Sequence, residues 1–369
     1  MPVPELDDPR RWPPAIVAPF DEAARAIEAE IQADADVHDA HVCAWLRDAV
    51  QTGDGEWLAR TFANAPTPAL GRHLRRLLAE IERKDPSTTD GLATTLFAIP
   101  VIVVAAQQTS ARSVTLDAVL PDVASLAAIL RDANALSGCE TFALSSSLVA
   151  VDAIDIAALP ALLAANEGHA SALDLAPAPI RVEGDGERVH LRFVVGAALT
   201  APSVDPLRES TIARWGMRFA QALGRALAAP NVTLLALPRD AQRLVIAVQS
   251  GRAAQREVSA QLFASNAIRR LRASYGEPTA IISSHVAGDA PGGGELRLSL
   301  SSPFAAKAAE GFRCPLYPYE TLQEVASMLD ELLRDCRVTD VRVVAGIHDD
   351  VDTVTGGRLF FKDDGPATH

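Results

Sequence analysis

Aromatic side chains are scarce in this 369-residue chain, at 5%, so its cores fall to Ala, Val, Leu and Ile. Cysteine is scarcer still. Cys43, Cys139, Cys314 and Cys336 stand far apart with no CxxC among them, which excludes a disulfide scaffold and a zinc-ribbon spacing. Reduced, mostly buried thiols are expected instead. No uncharged apolar run reaches the ~18 residues of a membrane span. The nearest, "GLATTLFAIPVIVVAAQQ", is short, and its β-branched residues and Pro100 read as a buried strand. The first residues, "MPVPELDDPRRWPPAIVAPF", lack a basic segment leading into an apolar one, so no secretory signal is expected there. Positive charge is also in deficit. A formal net charge of -13 opposes binding to nucleic acid or to an anionic membrane surface. The expectation is a soluble cytoplasmic protein; an effector secreted with an uncleaved signal would look the same. Abundant alanine, and arginine well ahead of lysine, fit a GC-rich bacterial gene.

What is present reads as an α/β protein with an α+β tendency. Residues 1–19 form a proline-rich extended arm, because Pro2, Pro4, Pro13, Pro14 and Pro19 forbid regular helix. Residues 20–90 read as helical, starting at Asp21 as N-cap, with breaks at Gly53–Gly55 and at Pro66 and Pro68. Leu70, Leu74, Leu77, Leu78 and Ile81 give the last of these helices one apolar face. "KDPSTTDG" closes the region as a loop.

Beyond it the order helix, strand, helix, strand, strand occurs twice, offset by roughly 90–100 residues, below the usual solenoid minimum. The expectation is a pseudo-duplicated α-β-α-β-β domain with mixed sheets, one unit at 91–205 and a second at 206–362, with a tail at 363–369. "LDAVLPDVASLAAILRDANAL" is expected as a helix ended by Gly138. "PIRVEGDGERVHLRFVVGAAL" is expected as a hairpin turning at Asp185-Gly186, and "EPTAIISSHVAGDAPGGGELRLSLSS" as a second hairpin. "GGRLFF" is expected as a last short strand.

The most polar helical stretch is "DADVHDAHVCAW", with three aspartates, two histidines and a cysteine. On a helix, Asp34, His38 and His41 share one side and offer three metal ligands, while Cys43 faces elsewhere. A helix edge that is simply solvated is the favoured alternative. "GIHDDVDTVTGG" brings His348, Asp350 and Asp352 together, as a cation site or as a polar loop after a buried strand; it lacks the alternation and closing Glu of an EF-hand. "SSHVAGD" holds Ser283, Ser284, His285 and Asp289, but adjacent strand residues face opposite ways and no GxSxG elbow exists. "GDAPGGGE" lacks the Lys-Ser/Thr of a phosphate-binding loop, and no GxGxxG opens a helix, so no cofactor is expected. Two basic clusters remain, Arg72, Arg75 and Arg76 around His73, and Arg269, Arg270 and Arg272. They read as solvated helix faces, or as docking surfaces for an acidic partner protein.

Three stretches, "GLATTLFAIPVIVVAAQ", "VHLRFVVGAAL" and "ETLQEVASMLDELLRDCRVTDVRVVAGI", are arranged along residues 90–360 in a way that resembles a beta-proteobacterial family of uncharacterised function. The resemblance implies the α/β fold and no particular activity. The family's cysteine pair after the last core strand has no counterpart between His348 and Phe360.

With no convergent acid, base, nucleophile or cofactor motif, the leading expectation is a non-enzymatic adaptor or regulatory protein. It would bind another protein through its helical region or an exposed sheet edge, where unpaired backbone groups invite a partner strand. It is also a possible homodimer. The alternatives are a metal-dependent hydrolase using the ligand sets above and a small-ligand or nucleotide sensor lodged between the two α/β units.

Overall fold

The computed structural model describes residues 32–65, 67–84, 92–107, 113–166, 173–184, 186–201, 204–208, 211–286, 294–302 and 305–348. The expected arm at 1–19, the helix start at Asp21, the "GGRLFF" strand and the tail lie outside these residues. Eight α-helices and ten strands are described, and the strands lie in mixed and antiparallel sheets behind an N-terminal helical region. The chain divides into two compact units, one of residues 1–62 and 72–255, the other of 63–71 and 256–369.

The first unit opens with α1 (Gln32–Thr52), α2 (Gly55–Ala63) and α3 (Pro68–Lys84), whose first four residues count with the second unit. α1 buries Val42, Leu46 and Ala49, an i, i+4, i+7 stripe, and leaves His41 exposed. It ends at Gly53, whose φ of +79° suits glycine. Gly55 follows under a different constraint: a Cβ there would lie 1.9 Å from the Ala157 carbonyl oxygen.

The sheet of this unit has the order β3-β5-β1-β6, all antiparallel. β1 (Ala93–Gln107) is central and buried on both faces over most of its length, which is why it reads as an unbroken apolar run. Pro100 fits because β6 (Val232–Pro238) stops opposite Val101; on that side Pro100 supplies only a carbonyl, which accepts from Arg239 N–H at 2.8 Å. β5 (Arg188–Thr200) pairs with β1 from Ala93↔Thr200 to Ala105↔Arg188 and with β3 (Cys139–Leu144) on its other side. α4 (Val123–Asp132) and α6 (Ile212–Ala226) supply Leu126, Leu130, Trp215, Phe219 and Leu223 to the core beside Phe97, Ile99, Val101 and Val103 of β1. Trp215 and Phe219 meet edge to face at 5.2 Å. α5 (Leu159–Ala165) completes the unit's helices before α7.

Three expectations change here. The Asp185-Gly186 turn does not make a hairpin: β4 (Ile180–Val182) pairs with β2 (Val114–Leu116), while β5 goes to β1 and β3. The helix expected from Leu116 starts at Val123, after Pro121, with Asp122 accepting from Ser125 N–H as its cap. It ends at Asp132, and Asn134 at φ +49° supplies the left-handed residue after it; Gly138 at φ +69° instead precedes β3. The sheets also divide later than residue 205, because β6 pairs with β1.

α7 (Leu244–Tyr275) is a single 32-residue helix; residues up to Gln255 belong to the first unit and those from Arg256 to the second. The second unit's sheet has the order β10-β7-β8-β9, built from β7 (Thr279–Val286), β8 (Gly294–Ser302), β9 (Ala305–Pro315) and β10 (Asp340–His348). β7 and β8 form the expected hairpin, from Thr279↔Ser301 to Val286↔Gly294, and β10 lies parallel to β7. Ile282, Leu296, Leu298, Leu300 and Cys314 meet a stripe on α7, Ala260, Ala264, Ala267, Ile268 and Leu271, and another on α8 (Leu322–Asp335), Val325, Leu329 and Leu333. α8 starts in a capping box of Thr321 and Glu324. Arg256, with its side chain largely buried, donates to both carboxylate oxygens of Glu320, at 2.5 and 2.6 Å, and lies over the Tyr317 ring.

Candidate functional site

β3 is one of the two edge strands of the first sheet, β6 being the other. On β5, Phe193 exchanges backbone hydrogen bonds with Val149, and Val195 accepts from Ser145 N–H. Odd-numbered residues of β5 therefore face the β3 side, and Ala197 and Leu199 hold Ala143 and Thr141. The backbone groups of Phe142 and Leu144 consequently point away from the sheet. Past Leu144 the adjacent lane is filled: Leu120 N–H donates to Ser146 and Leu148 N–H to Ala118. Beside Cys139–Leu144 no described strand lies in that lane.

The chain leaves the filled part of the lane at Pro121 and turns into α4, which runs back beside β3 in the opposite direction. Between them lies a pocket of about 390 Å³ lined by Leu130, Arg131, Asn134 and Leu136 on one side and Gly138, Cys139, Thr141 and Phe142 on the other. Thr141 is exposed, and Phe142 is half-buried against the core. The exposed Arg131 guanidinium lies 5.1 Å from the Phe142 ring centroid, and among the described residues it has no carboxylate partner. Gly138 is required twice over, by its positive φ and because a Cβ would approach Val204 Cγ1 to 2.7 Å. Burial pushes the Cys139 thiol up to about 11, against a smaller opposing effect of the Leu199 backbone, so it is not an activated nucleophile. The arrangement suits recognition of an extended chain: outward backbone groups beside a recess with both polar and apolar walls.

The polar residues expected to carry chemistry are placed as follows. Asp34 and His38 lie on α1 with side chains outside the described ones, as is the His348 side chain at the end of β10; Asp350 and Asp352 lie outside altogether. Among the described residues no group of three or more His, Cys, Asp or Glu could hold a metal. In "DADVHDAHVCAW" the residue tied to the fold is Asp39, which meets His73 Nε2 at 2.5 Å and Arg76 at 3.2 Å on α3. Nothing local in the sequence marks that contact, because the partners are 34 and 37 positions apart.

The basic clusters are engaged within the chain. Arg75 is buried with its guanidinium 5.2 Å from the Phe62 ring centroid, and Arg76 also binds Glu80. Arg72 is half-buried and has contacts of its own. Arg269 donates to Asn266, Arg270 binds Glu310, and Arg272 reaches Glu277 and the Arg337 carbonyl.

On β7 the pair that meets is Ser283 and His285, Oγ to Nε2 at 2.8 Å, two residues apart on one face. The neighbouring strand sets Arg297 opposite Ser283 and Glu295 opposite His285, and Arg297 donates to Glu295 at 2.5 Å. Period-two alternation predicts this pairing once Ser283 rather than Ser284 is considered. Ser283 is fully buried and His285 is 3% exposed, so the serine lacks the access a nucleophile needs. A buried polar network inside the unit is the physical description of this group. Asp289 lies outside the described residues.

No helix among the described residues is long and apolar enough to cross a membrane. No protein family, no curated protein and no solved structure matches the chain.

Proposed function

We propose that this is a protein-binding adaptor or regulatory module that takes an extended segment of a partner along the open edge of β3. The partner strand fills the lane beside Cys139–Leu144, in line with Ala118–Leu120, and exchanges backbone hydrogen bonds with Phe142 and Leu144. The observation that carries the reading is the lane left unfilled beside Cys139–Leu144, with a pocket between β3 and α4 that Thr141 and Phe142 help to line. Main-chain pairing gives such a complex its affinity, and the recess beside Leu130, Leu136 and Phe142 gives it selectivity.

The test places a photo-cross-linking amino acid at the exposed Thr141 of the full chain, with an equivalent probe at the exposed Arg214 on α6 as control. Irradiation is expected to give discrete adducts from position 141, mapping to one short stretch of a second polypeptide. Adducts that are absent, or identical from both positions, would overturn the reading.

A further inference from the structure

We infer that the chain forms a symmetric dimer in which β6 pairs antiparallel with β6 of a second copy, about a two-fold axis at Leu235. The inference does not rest on the β3 reading. It concerns the opposite edge of the same sheet and leaves β3 open.

The backbone sets the register. Arg239 N–H donates to the Pro100 carbonyl, so along the β1–β6 ladder Leu237, Leu235 and Thr233 turn their backbone groups toward β1. Val232, Leu234 and Ala236 turn theirs outward, where no described strand lies. Pro238 has no N–H, and Val232 N–H donates to the Ala229 carbonyl. The outward donors left are Leu234 and Ala236. The pattern is thus palindromic about Leu235: engaged or missing at 232 and 238, available at 234 and 236. An antiparallel second copy centred on Leu235 sets Leu234 opposite its Ala236, each with an outward donor and acceptor, and Val232 opposite its Pro238. A strand that matches itself in this way fits a two-fold partner.

Side chains agree. Val232, Leu234 and Ala236 pack on the core, which leaves Leu235 on the other face, 54% exposed. The same axis sets the two Leu235 side chains against each other in a non-hydrogen-bonded pair, where side chains stand closest. Edge strands are ordinarily guarded by charge. β6 reads VTLLALP and carries none, in a chain of net charge -13, so no like charges on this strand meet across the axis. α6 packs along β6, and α4 against β3. Arg214, Arg218 and Arg225 share the flank of α6 that faces α4. There Arg218 reaches Asp132 at 3.7 Å, and hydrogen bonds from Ser125, then Arg225, hold the Asp122 carboxyl below its usual range. The opposite flank, toward the β6 edge, presents Ala213, Ala220 and Gly224, and a Cβ on Gly224 would meet nothing within 4 Å. A second α6 can approach that flank without meeting an opposing cation.

The experiment joins sedimentation velocity of the full chain to cysteine cross-linking. Wild type is expected to show a monomer–dimer equilibrium between ~1 and ~100 µM. Leu235→Lys, an exposed change, sets two ammonium groups against each other and should weaken the dimer about tenfold or more. Leu235→Cys should oxidise to a covalent dimer, mapped by mass spectrometry to position 235 of both copies, because Cα atoms of a non-hydrogen-bonded pair stand ~4.5 Å apart, within disulfide reach. Thr233→Cys, also exposed, should not, since its counterpart lies several residues along the lane. Circular dichroism confirms that each variant is folded. A wild type that stays monomeric at ~100 µM would overturn the inference, as would a dimer that Leu235→Lys leaves intact. Equal linking at both positions would also overturn it, and linking only when the two cysteine variants are mixed would move the axis off Leu235.

Discussion

The carboxylate of Glu82, near the end of α3, accepts the backbone N–H groups of Leu244, at 3.1 Å, and Val245, at 3.3 Å, the first residues of α7. A side chain 162 positions away thus caps the longest helix among the described residues. Glu82 is 4% exposed, and burial pushes its carboxyl from 4.5 up to about 7, against the opposing influence of Arg243 and of the two backbone donors.

A pH dependence follows from that burial. Between pH 4.5 and about 7 the folded protein keeps a proton that the unfolded chain has released. The contribution is therefore complete below 4.5 and is lost as pH rises toward 7. At ~1.4 kcal/mol per pH unit this group makes the protein on the order of 3 kcal/mol less stable above pH 7 than below pH 4.5. Glu82→Gln should flatten that limb of the stability curve. Urea unfolding midpoints measured from pH 4 to pH 8 check it, and parallel curves for wild type and variant would contradict it.

The Asp39–His73 contact should couple α1 to α3. His73 is 8% exposed, and Asp39→Ala leaves its imidazole without that partner at a cost of about 1–3 kcal/mol. The double variant with His73→Ala should cost less than the two single changes together, with a coupling of about 0.5–3 kcal/mol. Additive losses in denaturant melts would show that the two side chains are neighbours without energetic consequence.

These two contacts show where the sequence is readable and where it is not. β1 is legible because both its faces are buried, so apolar residues run without interruption; α8 is legible because its cap and its i, i+4 stripe are local. The β7–β8 hairpin is legible for the same reason, since its pairing lies within one loop. The Asp185-Gly186 turn misleads because a turn signal says nothing about which strands its arms will join; the long register of β5 with β1 outweighs any pairing with three-residue β4. The groove was hidden by a related ignorance. Composition does not disclose that β3 ends up at an edge, because edge position is decided by partners far along the chain. Asp39 and Glu82 belong to the same class: ordinary polar helix residues until distant segments arrive.

Gly196 should be intolerant of any side chain. It pairs with Phe97 of β1, and a Cβ would come within 2.3 Å of Phe97 Cζ and 2.9 Å of the Ala143 carbonyl oxygen on β3. Gly196→Ala should destabilise the first unit by at least ~1–3 kcal/mol through overpacking. Adding Phe97→Leu frees part of the space and should recover less than the whole loss, because the Ala143 carbonyl stays in place. Thermal melts of the single and double variants decide it; full recovery would mean that the phenyl ring alone causes the strain.

Ser283 should behave as a structural hydroxyl. Being fully buried, it is expected to resist a fluorophosphonate probe at neutral pH in the folded protein. Ser283→Ala should lower stability by about 0.5–1.5 kcal/mol through the lost bond to His285. Stoichiometric labelling detected by intact mass, and lost in Ser283→Ala, would revive a hydrolase reading that burial argues against.

Cys139 offers a direct report on the groove. Its thiol, pushed up to about 11 chiefly by burial, carries ~100-fold less thiolate at neutral pH than one at the ordinary 9.0, so alkylation should be slower by a similar factor than for an exposed cysteine. Cys314, buried and pushed up to about 12, should react more slowly still. Cys139 lines the recess while Cys314 belongs to the core of the second unit. A peptide seated along β3 should therefore slow iodoacetamide labelling of Cys139 and leave Cys314 unchanged, read by peptide mass fingerprint over a time course. Equal protection of both thiols would point to a general stabilisation of the fold, and faster labelling of Cys139 on binding would place the peptide elsewhere.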